Sequence, residues 1–516
     1  MLEWSAMKIA LSLVLASAVS LAQQNPSTMP KVATVDPRFQ SYNVEMVEVI
    51  GGRFWKPYGS KAVPTEAKAG APEGLDPNLF EQRTPIDLSN PRLRKLAAAL
   101  GPAYLRVSGT WMNMAYFQDS DAPAPATPPE GFGGVLTRAE WKGVVSFSKA
   151  VDAEIVTSFA TSGGTRDAAG VWTPVEAKKF LDYTNSIGGT IAAAEFMNEP
   201  TFASVAGVPK GYDAAAYGKD YAVFEPFFRK AEPKSILLGP GSVGEGIDFV
   251  PVKLLPSKEL LTAMGPNAVD VFSYHFYGGV SERCRAGMGG KSDISPETAL
   301  SEDWLTRSGT VETFYAGLRD QYAPGKAMWL TETGQTACGG DRWASTFVDS
   351  FRYLDQLGRL AKLGVKVVMH NTLAASDYGL IDEKTLVPRP NYWAALLWHN
   401  TMGTTVLEAG PAPATSVHLY AQCMKGKPGG VSLLAINLSR TDAVTMRVPE
   451  KSVRYTLTAV DLMSRTVQLN GKDLMVSAEG DVPVLEGVKT AKGDVVLPAA
   501  SLTFLTLGEA GNGACR

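Results

Sequence analysis

With 516 residues, 45% of them apolar and 20% charged, the chain can bury a sizeable core and suits one large domain plus a smaller one. A formal net charge of −3 and a pI near 6.0 argue against charge-driven binding to nucleic acid or an anionic membrane. An acidic substrate stays open, because a pocket can recognise one carboxylate without a basic surface.

At the N-terminus, Lys8 precedes an apolar run from Ile9 to Leu21, and Ser20-Leu21-Ala22 fits a small-residue cleavage site. Residues 1–22 therefore read as a signal peptide, with Met7-Lys8 the more usual start, and a secreted or periplasmic protein is expected. No cysteine follows this run and no later segment is apolar for about 18 residues, so no membrane anchor is expected. Cys284, Cys338, Cys423 and Cys515 then meet an oxidising setting, where three pairings are open. Their spacing fits no zinc pattern and the four histidines are scattered, so neither metal nor cofactor is expected.

Residues 23–38, with Pro26, Pro30 and Pro37, read as a tail or an early β segment. The alternation from Phe39 to Val49 predicts a first strand carrying Asn43 and Glu45, followed by a Gly/Pro-rich loop to about residue 88. Helix is predicted over 92–100 and a second strand over 104–107. Strand-like runs follow at 155–159, 193–197, 236–239, 269–274, 328–331 and 365–369. Helical patterns lie between them, clearest at 175–187, 224–231, 304–322 and 343–363. Eight strands alternating with helices over 39–402 predict an α/β fold, a (β/α)8 TIM barrel. An open doubly wound sheet would place a Gly-rich phosphate turn after its first strand, and none is there. The proline-rich segment 119–134 reads as a structureless loop, and 278–303 as a second long loop. From 403 to 516, short runs such as SVHLYAQC, GVSLLAINL and SLTFLTL, separated by turns, predict a C-terminal β-sandwich that the 23–38 segment can join.

Two glutamates organise the chemistry. Glu199 lies in AAEFMNEP (193–200) and Glu332 in MWLTETG (328–334), each where a buried strand gives way to a turn. Carboxylates at the C-terminal ends of barrel strands stand where such barrels do their chemistry. A pair of them fits glycosidic bond cleavage, one protonating the leaving oxygen and the other attacking the sugar. Taken singly, Asn-Glu-Pro is as readily a helix cap, and His275-Phe276-Tyr277 an aromatic barrel plug. The pairing on one barrel favours function.

YLRVSGTW (104–111), EFMNEP (195–200), MWLTETG (328–334), DYGLIDE (377–383) and PNYWAALLW (390–398) resemble the heparanase and β-glucuronidase family, glycoside hydrolase family 79. AINL (435–438) and VQLNG (467–471) extend the resemblance into the sandwich, in the same order. It implies a retaining mechanism with Glu332 as nucleophile, Glu199 as acid/base and Asn198 on the sugar 2-hydroxyl. It also brings His275 and Tyr277 into the site, with the Tyr277 hydroxyl orienting Glu332. For the uronate carboxylate, elementary chemistry suggests an arginine fork, yet no Arg motif announces itself. The resemblance implies instead the Tyr378 hydroxyl and the Gly339 backbone N–H, while Ala337 stands where the family often has tyrosine. Glu45 and Thr110 match positions that bind the non-reducing sugar, Glu45 replacing a more usual aspartate. A plain strand carboxylate is the alternative for Glu45. Arg106 reads as structural, pairing with a buried acid. Cys423 and Cys515 match the family's sandwich disulfide, and Cys338 could tie its loop to Cys284.

The expected activity is exo-β-glucuronidase, on glucuronate-containing oligosaccharides, polysaccharides or glucuronides. Endo-β-glucuronidase action on glycosaminoglycans is the alternative, followed by a neutral-sugar β-glycosidase or a non-catalytic glycan-binding protein. Long loops closing one end of the cleft favour exo action, and the 119–134 loop is too short for an excisable linker, so a single uncut chain is expected. The sandwich lacks an aromatic platform and reads as a stabilising accessory domain.

Overall fold

The computed structural model describes residues 24–60, 76–248, 253–288 and 294–516, so the expected signal peptide lies outside the described residues. Eight parallel strands close into a barrel in sequence order. They are β1 Gln40–Glu45, β2 Ala103–Ser108, β3 Ala153–Thr157, β4 Ile191–Ala194, β5 Ile236–Ser242, β6 Val271–Tyr277, β7 Ala327–Gly334 and β8 Val367–His370. Helices α1 Pro91–Ala98, α2 Arg138–Ala150, α3 Val175–Ser186, α4 Ala214–Ala231, α5 Ser257–Met264, α6 Glu302–Tyr322 and α7 Phe347–Leu363 connect them, and α8 Pro390–Thr401 follows β8. Strands buried on both faces are what a parallel barrel requires, and β1, β2 and β6 are buried throughout. Helix starts follow local chemistry. Asn90 accepts the first N–H groups of α1, whose first residue is Pro91, and a Thr137–Glu140 capping box opens α2.

Tyr104, Val156, Leu238, Trp329 and Met369 pack together as an apolar plug, with the Tyr104 and Trp329 rings 4.8 Å apart. Two residues further along β2, on the same face of the strand, Arg106 begins a polar layer. A side-chain period of two thus separates a dry barrel floor from a charged upper half.

Several predicted bounds move. The first strand stops at Glu45, because Glu45 and Glu48 form a capping box (Glu45 N–H to Glu48 Oε2, 2.6 Å) that starts a short helix, Met46–Ile50. Helix α4 begins at Ala214 rather than 224, started by the Asp213 side chain. The 119–133 segment has no regular element, and short strands Ala115–Gln118 and Gly134–Thr137 pair at its base. The 278–303 loop contains a helix, Glu282–Met288.

The C-terminal part is an antiparallel sandwich of β9 Met402–Leu407, β10 Val417–Met424, β11 Val431–Asn437, β12 Val444–Val448, β13 Ser452–Thr458, β14 Gly493–Leu497 and β15 Ser501–Leu507. The larger sheet runs β9, β10, β11, β15, β13, while β12 pairs with β14. The segment Lys31–Thr34 pairs with β9 as its outer neighbour. Alternation along β11 sends Leu434 and Ile436 into the barrel-side core and Leu433 and Ala435 into the sandwich core, so this sheet is buried on both faces. Among the described residues no helix is long and apolar enough to cross a membrane.

Candidate active site

Strand β7 delivers Glu332, and β6 sets His275 directly across from it, after a register irregularity between Tyr274 and His275. Tyr277 falls opposite Gly334. Glu199 lies beyond the end of β4, where the backbone turns into the left-handed region (φ 48°, ψ 59°) before Pro200 opens the 3-10 helix Pro200–Val205. Such a conformation costs a non-glycine residue about 1–2 kcal/mol. The cost is met by Asn113, whose amide clamps Asn198 from both sides: Nδ2 donates to the Asn198 carbonyl (2.9 Å) and Oδ1 accepts its N–H (2.8 Å).

At the centre, a carboxylate oxygen of Glu199, a ring nitrogen of His275 and a carboxylate oxygen of Glu332 lie within 4.8 Å of one another. The Tyr277 hydroxyl donates to Glu332 Oε1 (2.7 Å), and Arg106 donates to Oε2 (2.7 Å). Arg106 also reaches Glu195 Oε2 (2.9 Å) and Asn198 Oδ1 (2.8 Å). Asn371, just past β8, donates to the hydroxyls of both Tyr277 (3.0 Å) and Tyr378 (3.1 Å). Glu195 is further held by Thr331 (2.7 Å).

Arg106 is fully buried and does pair with a buried acid, Glu195, as the sequence suggests. Its purely structural reading is corrected, because the same guanidinium holds Glu332 and Asn198. Glu195, Asn113 and Asn371 also belong to the site, although the sequence does not single them out. Only Glu195 carries a sequence signal, its place in EFMNEP, since the partners of the other two are remote in the chain.

Burial and neighbouring charges pull the titrating groups of this cluster in opposite directions. Burial alone would raise Glu195, but the adjacent Arg106 charge outweighs it and holds that carboxyl well below the usual range. Burial would lower His275, but Glu332 and hydrogen bonds to Glu195 and Glu199 push its ring up to about 9. For Glu199, burial and then the Glu332 charge both raise the pKa. Arg106 and His275 thus face Glu195 and Glu332, and Glu199, raised by burial and by the Glu332 charge, is the group inclined to hold a proton. Glu199, His275 and Glu332 also have the spacing of a three-donor cation site. Ligation requires a neutral imidazole, which these carboxylates disfavour, and Arg106 already supplies the positive charge on Glu332.

The remaining predicted residues lie around this core. Glu45 ends β1, buried, with its carboxyl pressed on Gly109: a Cβ there would come within 1.6 Å of Oε2. Burial and the Glu332 charge raise its pKa well above normal. The Glu45 side chain also caps the helix Met46–Ile50. Thr110 is the next residue in the same turn, half-buried. Tyr378 is buried and joined to the core through Asn371, whereas Gly339 sits one layer out (φ +80°), its carbonyl accepting the Asp377 N–H (3.0 Å). Disulfides Cys284–Cys338 and Cys423–Cys515 close, the first pinning the Gly339 loop to the helix Glu282–Met288.

Residues 83–358 match the family model for glycosyl hydrolase family 79, N-terminal domain. Heparanase-like protein 1 of Arabidopsis thaliana is 30% identical over 488 residues, covering 83% of this chain and 86% of its own. Baicalin-beta-D-glucuronidase of Scutellaria baicalensis is 26% identical over 448 residues, covering 78% and 80%. In fold, a 4-O-alpha-L-rhamnosyl-beta-D-glucuronidase from Fusarium oxysporum superposes with a TM-score of 0.60 over 93% of this chain and 99% of that one, at 14% identity. With the family model spanning more than half of the sequence and that degree of identity over most of its length, the chain belongs to glycosyl hydrolase family 79.

Proposed function

We propose that the protein is a retaining exo-β-glucuronidase in which Glu332 is the nucleophile and Glu199 the acid/base. The observation that carries the retaining mechanism is the spacing of the two carboxyls. Retaining enzymes hold them about 5–5.5 Å apart, while inverting enzymes need about 6.5–9.5 Å to admit a water. The nearest oxygens of Glu199 and Glu332 lie within 4.8 Å of each other, a closeness that favours the retaining arrangement.

In the first step Glu199 gives its proton to the glycosidic oxygen as Glu332 attacks the anomeric carbon. The C–O bond to the aglycone breaks and an ester to Glu332 forms. Asn198, oriented by Asn113 and Arg106, is the group for the sugar 2-hydroxyl, a contact that strengthens as the anomeric carbon becomes cationic. Esterification removes the Glu332 charge that raised Glu199, so Glu199 leaves the first step as a carboxylate able to take a proton from water. That water attacks the ester, releases the sugar and restores both groups.

A uronate substrate is supported by the family and by relatives such as the baicalin glucuronidase. Tyr378 and Gly339 are the proposed carboxylate contacts, and Glu45 and Thr110 the contacts to the far side of the ring. Exo action is our reading of the long loops around the cleft, of which those after β1, β6, β7 and β8 meet beside Gly339. Export, proposed from residues 1–22, accords with two closed disulfides. The test is hydrolysis of nitrophenyl β-D-glucuronide, glucoside and xyloside by wild type and Glu332→Ala. Glucuronide turnover lost in the variant is expected. Turnover of the neutral sugars alone would refute the uronate assignment.

A further inference from the structure

We propose that Arg283 is the specificity-determining residue that gives this pocket its preference for an anionic sugar, acting through Gly339 and the Asp377-Tyr378 pair. The inference rests on the glucuronidase reading and deepens it. Arg283 sits on the Glu282–Met288 helix after β6, with its side chain 7% exposed. Its guanidinium donates to the Lys56 carbonyl in the loop after β1 (2.7 Å) and to the Gly340 carbonyl in the loop after β7 (3.3 Å), and it pairs with Asp377 in the loop after β8. Its flat face lies 4.2 Å from the centre of the Tyr58 ring. Four loops of the catalytic face thus meet on one side chain.

Position gives this clasp a chemical meaning. A Cβ on Gly339 would stand 3.1 Å from Arg283 Nη1, so the guanidinium packs directly against the residue whose N–H is the proposed uronate donor. Glycine is required there for its φ of +80° and because a Cβ would meet Trp55 at 2.8 Å, with Arg283 the next neighbour. The neighbouring Cys284 is bonded to Cys338, which precedes Gly339, so the covalent bridge and the cation fix the same loop. Asp377 joins this arrangement from the other side, its N–H on the Gly339 carbonyl and its carboxylate on Arg283, and Tyr378 follows it in the chain. Arg283 Nε is a buried donor with no partner among the described residues. Water screens a guanidinium this buried less than an exposed one, and Asp377 offsets only part of its field at the neighbouring donor. The arginine that elementary chemistry expects for a uronate is therefore present, set one layer behind the backbone donor.

The test compares kcat and KM for nitrophenyl β-D-glucuronide and β-D-glucoside in wild type, Arg283→Gln, Arg283→Lys and Asp377→Asn. Arg283→Gln should raise KM for the glucuronide about 5- to 30-fold, less than a direct charge-assisted contact is worth because the guanidinium acts from behind the donor, and change the glucoside parameters less than about 3-fold. Arg283→Lys should recover part of the loss. Asp377→Asn leaves the cation uncompensated and should lower the glucuronide KM, whereas a clasp that serves only to hold loops predicts impairment of both substrates in every variant. That uniform impairment, or a glucuronide preference that survives Arg283→Gln, overturns the role of Arg283. A wild-type enzyme that hydrolyses the glucoside and not the glucuronide overturns the glucuronidase reading itself.

Discussion

Replacing Tyr277 with phenylalanine isolates one hydrogen bond at the reacting group. The hydroxyl donates to Glu332 at 2.7 Å and accepts from Asn371 at 3.0 Å, and its ring is buried. Phenylalanine keeps the ring and its packing, so no cavity opens, and Asn371 retains the Tyr378 hydroxyl as an acceptor at 3.1 Å. The loss is one hydrogen bond to a charged acceptor, about 1.5–3 kcal/mol, or roughly 10- to 150-fold in rate where it acts fully. It acts unevenly. When Glu332 attacks, its charge is being consumed and the donor matters less. When the ester is cleaved the charge returns to Glu332, and the donor stabilises it. Tyr277→Phe should therefore slow the second step more than the first. With nitrophenyl glucuronide, kcat falls about 10- to 100-fold, KM falls with it as the ester accumulates, and stopped flow shows a burst of one nitrophenol per site. The melting temperature should stay near that of wild type. A lower kcat with unchanged KM and no burst would refute this account of the Tyr277–Glu332 bond.

Glu199→Gln should abolish turnover of glucuronides with poor leaving groups while sparing ester formation from dinitrophenyl glucuronide, and azide should then restore release as a glucuronyl azide; failure of azide rescue would count against Glu199 as the base. Because Glu332 raises Glu199, the Glu199 carboxyl should titrate at lower pH in Glu332→Gln than in wild type, read by 13C NMR, and wild-type activity should decline as pH climbs through the raised value. His418 of β10 offers both ring nitrogens at 2.5 Å to carboxylates, Asp355 of α7 and Glu302 of α6, with Arg359 and Tyr420 also on Asp355. Burial would lower its pKa, but the Asp355 bond outweighs this and raises it, so its contribution is complete below the unfolded value near 6.5 and fades as pH rises through the folded one. The melting-temperature gap between wild type and His418→Gln should thus be widest below about pH 6.5 and narrow toward alkaline pH; a gap independent of pH would argue against an imidazolium bridge.

Local signals made the barrel readable. Each strand carries its own apolar run, and MWLTETG already placed Glu332 where β7 meets the loop layer. Bounds failed where a side chain redirected the backbone. The alternation through Val49 looks like one strand, but Glu48 reaches back to the Glu45 N–H and ends it. The site was half legible for a similar reason. Glu332, Glu199 and Tyr277 lie on short motifs, while the roles of Arg106 and Asn371 exist only through partners brought together by barrel closure. Arg283 was invisible, since nothing near it in the chain marks it out and its partners come from three other loops.

Pairing of Lys31–Thr34 with β9 has a consequence for biogenesis. This strand is synthesised before any part of the barrel, and its partner only after the whole of it. During synthesis it is an unpaired edge, rich in free N–H and C=O groups, while some three hundred or more residues emerge and fold. The accessory sheet is then completed by both flanks of the barrel together, and Asn512 adds a second tie by bonding the carbonyls of Pro26 and Met29. An isolated C-terminal fragment would lack this outer strand, so the sandwich is a seam that can be completed only when both flanks of the barrel are present, and cutting it away as a module would leave raw edges on both pieces.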